Sequence, residues 1–439
     1  MTFLLLDTLP PPSRQPGAIW AIASLSLLSF AISWVATLLM KHLSPRIGFV
    51  DRPGGRKIHA NPKPLGGGVA IFWAFAIPML IGLAVIVFGH PPQPLEGRIP
   101  HLDQYWSGMR ERAPMAVGML LAALVMHVMG LFDDRRALGP YFKLIVQLGT
   151  VTALVLGVHE LRILTALGPV ASAILTILWI TAIANAFNFL DNMDGLSAGV
   201  AAVCTAAFLI TTLSIGQWFV AGALALLLGA LIGFLCFNFA PASIFMGDSG
   251  SLVIGLLLGV LTVRTTYLPP GENWAAGWYK VFAPVIVLAV PLYDLVVVSM
   301  IRLTRGHSPF KGDTNHFSHR LVARGMSRRT AVLCLWLITA ATAVAAIVLP
   351  HVPNAFCAIL IFVQTLLILA TVMLLEQHPL PIEREGEIAA PSGAERLARP
   401  RASSRGDGPS SGRADRAGAA DSPGPANNEI SHTTAESSL

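Results

Sequence analysis

The chain has 439 residues, of which 54% are hydrophobic and only 12% charged, with a formal net charge of +6. A soluble domain carries roughly 25% charged residues, so a water-facing surface over the whole chain is excluded. The modest positive balance, partly borne by the C-terminal segment, makes no case for a nucleic-acid partner.

Apolar runs alternate with short polar connectors, and runs of 18 or more apolar residues read as membrane-crossing helices. About eleven are predicted, at roughly 17–40, 66–89, 113–131, 141–158, 170–190, 196–215, 218–237, 249–265, 281–301, 330–349 and 354–375. The expected fold class is therefore an all-α polytopic membrane protein, with an integral membrane domain over 1–376. The opening MTFLLLDTLPPP is too short to span and lacks the basic start of a signal peptide. Cys204, Cys236, Cys334 and Cys357 all fall inside apolar runs without metal-ligand spacing, which suggests packing rather than a disulfide framework. From 377 to 439 the chain is rich in Ser, Gly, Pro, Ala and Arg without apolar period, the composition of a disordered tail.

The connectors divide into two sets. The set 41–65, 132–143, 191–196, 238–249 and 302–330 carries roughly 16 Lys and Arg against roughly 7 in the other. The positive-inside rule then predicts the N-terminus outside and the C-terminus in the cytoplasm. Acids, amides and histidines play no part in that assignment, yet their clusters fall on the same side: KIHANPKPLGGG, GLFDDRRALGPYFK, NAFNFLDNMDG, NFAPASIFMGDSG and SPFKGDTNHFSHR.

Asp133 and Asp134 close the third span, Asp191 and Asp194 follow the fifth, and Asp248 lies between the seventh and eighth. At the centre of a bilayer an Asp costs about 2.5–3.5 kcal/mol, less near the interface. Five such carboxylates at one face call for a shared partner, and oxygen-only ligands suit Mg²⁺ or Mn²⁺ better than zinc. Solvated helix caps are the alternative for any single cluster. The Lys57, His59 and Lys63 group precedes Pro64-Leu65-Gly66-Gly67-Gly68, whose backbone could approach a phosphate, although glycines at the start of a span more often serve helix packing. Arg302, Arg305, Lys311, His316, His319 and Arg320 add a second basic cluster beside Asp313 and Asn315. Divalent-cation carboxylates, anion-binding cations and access to lipid together point to phosphoryl chemistry on a lipid.

These motifs resemble those of the polyprenyl-phosphate N-acetylhexosamine-1-phosphate transferases, glycosyltransferase family 4, which includes WecA-like enzymes and the peptidoglycan enzyme MraY. GLFDDRRALGPYFKLIVQ resembles the family's DD motif, NAFNFLDNMDGLSAG its N-x-x-D-x-x-D-G motif, and NFAPASIFMGDSGS its N-x-x-P-x-x-x-F-M-G-D motif. The resemblance covers about 48–329 and implies transfer of a sugar-1-phosphate from a UDP-N-acetylhexosamine to polyprenyl (undecaprenyl) phosphate with Mg²⁺, releasing UMP at the cytoplasmic face of a bacterial inner membrane. It implies catalytic roles for Asp133, Asp134, Asp248 and His316, with Asp133, Asp134 and Asp248 at the metal. Lys57, Asn188, Asp191, Asp194, Asn238 and His319 are implied in substrate binding. A base role for Asp133 is dispensable, because a phosphomonoester with a second pKa near 6 is already largely dianionic at neutral pH.

The chain departs from the family pattern twice: Asn192 stands where Gly is frequent, and Ser318 where a further histidine is usual. The latter leaves open which of His316 and His319 is essential. KIHANPKPLGGG resembles the WecA-like pattern rather than the MraY one, which favours UDP-N-acetylglucosamine or a related donor over the muramyl-pentapeptide nucleotide. Asp294, in PLYDLVVVSMIRL, shares a helix face with Arg302 and reads equally as a packing partner or a site residue. An ion-coupled transporter is the rival class, but its acids belong near the midplane of repeated, broken helices, and no repeat is visible.

Overall fold

The computed structural model of the chain describes residues 16–51, 62–90, 102–265, 267, 277–308, 315–352 and 354–377. Lys57, His59, Lys311 and Asp313 lie outside the described residues, as does the expected tail from 378 onward. Among the described residues the helices are α1 (Pro16–Arg46), α2 (Gly67–Phe88), α3 (Leu102–Glu111), α4 (Ala113–Arg135), α5 (Pro140–Gly157), α6 (Pro169–Leu190) and α7 (Leu196–Ile215). They continue as α8 (Trp218–Asn238), α9 (Asp248–Arg264), α10 (Ala283–Val287), α11 (Ala289–Thr304), α12 (Phe317–Ala323), α13 (Arg328–Val348) and α14 (Ala355–Gln377). A two-residue hairpin pairs β1 (Val50–Asp51) antiparallel with β2 (Lys63–Pro64).

Nine of these helices are long and apolar enough to cross a membrane, and the protein is a multi-pass membrane protein. Two of the eleven expected spans take another form. The run 281–301 is not one straight helix: α10 and α11 meet at a 70° bend, with prolines at 284 and 291 on either side of Leu288. The run 249–265 is α9, which at 17 residues is short, and every residue from Ser249 to Thr262 is buried. That helix is the centre of the fold rather than a lipid-facing span.

Local signals in the sequence set the helix ends. Proline opens α4, α5 and α6 in the first turn, where its missing N–H has no partner to lose. Ser327 caps α13 by accepting the Thr330 N–H at 3.2 Å. Packing between helices relies on small residues and hydroxyls, as expected where lipid supplies no hydrophobic drive. Ser29 and Ser33 of α1 donate to Leu226 O and Ala230 O of α8, each at 2.6 Å.

The pairing of α6 with α9 has a register that fixes the site. Asn188 donates to Ser251 Oγ at 3.0 Å. Four residues back along α6 and four forward along α9, Ala184 meets Gly255, where an added Cβ would come within 2.5 Å of the Ala184 Cα. A further step of four brings Ile180 against Gly259, and Trp179 donates to Thr262 Oγ1 at 3.0 Å. This antiparallel ladder carries the C-terminal end of α6 to the N-terminal end of α9.

The N-terminus of α2 meets the same point, because Gly68 packs on the backbone of Ser249 and Gly250. A Cβ on Gly68 would lie 2.6 Å from Ser249 C, a backbone atom that has nowhere to move. Gly68→Ala is therefore expected to destabilise the protein by about 1–3 kcal/mol through overpacking, read as a lower melting temperature in detergent. Gly82→Ala, which meets nothing within 4 Å, is the control expected to melt like the unsubstituted protein.

Candidate active site

Adjacent residues on a helix point about 100° apart, so Asp133 and Asp134 at the end of α4 face different neighbours. His127, Gly130 and Asp134 recur at i, i+3 and i+7 and form one face, which reads the first turn of α9. Asp134 Oδ1 accepts the Asp248 N–H at 2.7 Å and Oδ2 the Ser249 N–H at 3.3 Å. The His127 Nδ1–H donates to Ser249 O at 2.9 Å, with its ring stacked on Phe72 at 4.5 Å between centroids. Gly130 leaves room for this approach: a Cβ there would lie 2.6 Å from Asp248 C. Gly247, just before α9, has φ +75°, and a Cβ would fall within 2.5–2.7 Å of the Asp134 carboxylate. Only glycine supplies both the backbone angle and the space.

Asp133 turns the other way. Its Oδ1 accepts the Leu138 N–H at 2.8 Å, holding the α4–α5 turn, and its Oδ2 accepts from Lys143 Nζ at 3.1 Å. The same ammonium donates to Asp248 Oδ2 at 2.7 Å. Lys143, in the first turn of α5, therefore joins carboxylates brought from two distant parts of the chain. The three side chains are 14–24% exposed, so the pair is neither fully dry nor freely solvated.

Asp191 lies at the C-terminal end of α6, half-buried. Burial first, then the charges of Asp248 and Asp134, hold its carboxyl well above the usual carboxylate range, against the Gly247 N–H that favours its ionised form. Asp194 Oδ2 accepts the Ala242 N–H at 2.8 Å. Asn238 is buried and bridges two loops, accepting from Gly195 N at 3.0 Å and donating to Ile244 O at 3.0 Å. Lys63 donates to Ala242 O at 2.8 Å. The loop between α8 and α9 is thus pinned from four directions. The glycine run follows the packing alternative: Gly67 and Gly68 donate their N–H groups to Phe245 O and Met246 O, each at 3.0 Å.

The histidine loop approaches from the α11 side. His316 bonds Asp294 and Arg302, and Ser318 Oγ donates to Asn192 Oδ1 at 2.6 Å. The two departures from the family pattern are therefore one contact, which ties the histidine loop to the loop after α6. His319, half-buried on α12, has its ring centroid 6.4 Å from that of His316.

The described site residues thus meet at one end of the bundle, while Lys57 falls outside the described residues. Lys143, His127 and Asn192 carry contacts that the motif reading gave no role. A shallow groove between α4 and α5, lined by Ala113, Val117, Ala153 and Gly157, lies at the far ends of those helices, about 30 Å along α4 from Asp133.

The donor set fits Mg²⁺. Asp133 Oδ2 and Asp248 Oδ2 converge on one ammonium, so a cation at that point is within reach of both. Mg²⁺ takes oxygen ligands and commonly only one or two carboxylates, completing its shell with water and phosphate. Among the described residues no cluster of three or more His, Cys, Asp or Glu is arranged to hold a metal.

Comparison with known proteins gives the same direction. The model of glycosyl transferase family 4 matches residues 116–266. A Bacillus subtilis (strain 168) protein named "Probable undecaprenyl-phosphate N-acetylglucosaminyl 1-phosphate transferase" is 30% identical over 331 residues, covering 74% of this chain and 83% of that protein. The decaprenyl-phosphate N-acetylglucosaminephosphotransferase of Mycobacterium tuberculosis is 32% identical over 343 residues, covering 72% and 79%. The undecaprenyl-phosphate alpha-N-acetylglucosaminyl 1-phosphate transferase of Salmonella typhi is 28% identical over 334 residues, covering 72% and 80%. With its acids gathered at one end of an all-helical membrane bundle and its likeness to these relatives running through most of its length, the chain belongs to glycosyl transferase family 4, the polyprenyl-phosphate N-acetylhexosamine-1-phosphate transferases.

Proposed function

We propose that the protein transfers N-acetylglucosamine 1-phosphate from UDP-N-acetylglucosamine to a polyprenyl phosphate such as undecaprenyl phosphate, releasing UMP. It does so in a bacterial cytoplasmic membrane, with the acidic end of the bundle facing the cytoplasm and Mg²⁺ as cofactor. The names of its relatives support the sugar phosphate and the polyprenyl acceptor. The UDP half, the metal and the orientation are supported by the motifs, the donor set and the Lys and Arg distribution. The observation that carries the reading is the meeting of Asp133 and Asp248 on one positive charge.

The difficulty of the reaction is that two anions must approach. The acceptor phosphate is largely a dianion at neutral pH and needs no base, so Asp133 acts as a ligand rather than a proton acceptor. Mg²⁺, when bound, neutralises charge on the diphosphate and polarises its phosphoryl oxygens. Asp133 and Asp248 would hold it, while Asp134 and His127 fix the first turn of α9 so that Asp248 keeps its place. Lys143, which meets both carboxylates, would supply a positive charge where negative charge develops on the leaving UMP. Asn188, Asp191 and Asp194 border the nucleotide-sugar side.

Full-length protein in nanodiscs, given undecaprenyl phosphate, Mg²⁺ and a panel of UDP-sugars, is expected to release UMP fastest with UDP-N-acetylglucosamine. Release only with the muramyl-pentapeptide nucleotide would reassign the donor, and no release with any of them would remove the reading. Lys143→Met is expected to lower turnover about 100-fold. It also leaves two acids without their counter-charge. Breaking a fully buried pair costs about 3–5 kcal/mol, and less is expected for these partly exposed groups. The variant should melt below the unsubstituted protein without metal and recover when Mg²⁺ is added. A melting temperature indifferent to both changes would contradict a shared cation position.

A further inference from the structure

Asp294 and Arg302 stand two turns apart on the buried face of α11, with Val298 between them. The His316 ring fits between the two charges. Its Nδ1–H donates to Asp294 Oδ2 at 2.9 Å, and Arg302 Nη2 lies 3.3 Å from its Nε2. A guanidinium can only donate, so Nε2 is the bare nitrogen and Nδ1 carries the proton. Both ring nitrogens are therefore engaged inside the protein, on a residue only 6% exposed.

The other contacts of this trio are also internal. Asp294, fully buried, accepts the Phe317 N–H at 2.6 Å through Oδ1, which starts α12. The Arg302 guanidinium lies over the Phe189 ring at 5.1 Å, and the same ring meets His316 edge-on at 5.6 Å. Phe189 precedes Asp191 by two residues on the way into the acidic loop. Ser318 reaches Asn192 on that loop. Farther along α12, Arg320 forks onto Glu376 of α14 at 3.0 and 3.1 Å, with the Tyr293 hydroxyl donating to the same carboxylate at 3.3 Å.

An imidazole held this way would have to break two charge-assisted bonds before it could give a proton to substrate or bind a phosphate. Its geometry suits holding a loop. Building on the function proposed above, we propose that His316 is a positioning residue, locked by Asp294 and Arg302 with its proton on Nδ1. It sets α12 on the acidic loop.

The test uses full-length protein in nanodiscs with ¹⁵N-labelled histidine rings, the His316 signals being assigned by their loss in His316→Asn. At neutral pH the proposal expects one protonated and one bare nitrogen, with the proton on Nδ1, and loss of that pattern in Asp294→Asn. A proton on Nε2, or on both nitrogens, would overturn it.

Turnover supplies a second readout. In His316→Asn the introduced amide keeps a donor where Nδ1–H stood but has no acid–base chemistry. This variant is therefore expected to retain more than about one tenth of activity, whereas His316→Ala, which keeps no donor for Asp294, falls about 100-fold, a loss of the size seen when a catalytic group is removed. His316→Asn as inactive as His316→Ala would overturn the assignment. No UMP release from the unsubstituted protein counts against the function alone, because the ring-nitrogen pattern still decides the trio.

Discussion

Asp248→Ala is expected to abolish UMP release, by about 1,000-fold or more, while the protein still folds and inserts. The side chain of Asp248 faces Lys143, whereas the role of this residue in holding α9 runs through its backbone N–H, which alanine keeps. Asp134 can still accept that N–H and its neighbour. The structural loss is one acid at a helix N-terminus, worth about 0.3–1 kcal/mol, and one of the two partners of Lys143, which keeps its pair with Asp133; alanine is itself a good helix former. Turnover should collapse with little change in melting temperature. Normal UMP release from this variant would remove Asp248 from the reaction.

Asp134→Ala should behave differently, although its neighbour Asp133 belongs to the same motif. Its two oxygens cap α9 from another helix, in a place where Gly247 itself has no side chain to do so. Loss of a helix cap costs about 0.5–2 kcal/mol, and hydrogen bonds to a charged group are worth about 1.5–3 kcal/mol each. The variant is expected to melt several degrees lower and to lose about 100-fold in turnover, because Asp248 is no longer held in place. Asp134→Asn keeps an acceptor and should recover part of both. A fall in turnover with unchanged melting behaviour would place Asp134 at the reacting atoms instead.

This division of labour between two adjacent aspartates was not legible in the sequence. The residues DD are equivalent until the step of about 100° along α4 is set against the particular neighbour each side chain meets. Hydropathy located the helices, because an apolar run of membrane length has few other solutions. It did not show that α9, as greasy as the rest, is buried on every side, nor that Leu288 marks a 70° bend, because apolar burial in lipid and in protein read alike. Lys143 was hidden by the company it keeps: near Arg135 and Arg136 it reads as one more cation on the basic side. Its position three residues inside a helix that opens at Pro140 was the available signal. Asp294 and Arg302 were visible as a pair on one face, but the histidine between them comes from a later loop that helix periodicity does not place. Asn192 and Ser318 stand in the sequence as separate departures, and only their contact at 2.6 Å shows that one answers the other.

Divalent-ion binding tests the shared cation site most directly. Purified protein titrated with Mn²⁺, with bound ion followed by electron paramagnetic resonance, is expected to hold one ion per chain, displaced by Mg²⁺. Asp133→Ala and Asp248→Ala should each remove that ion, while Lys143→Met should bind it more tightly, since the competing ammonium is gone. Retention of full Mn²⁺ affinity in either aspartate variant would mean that these two acids do not share a cation.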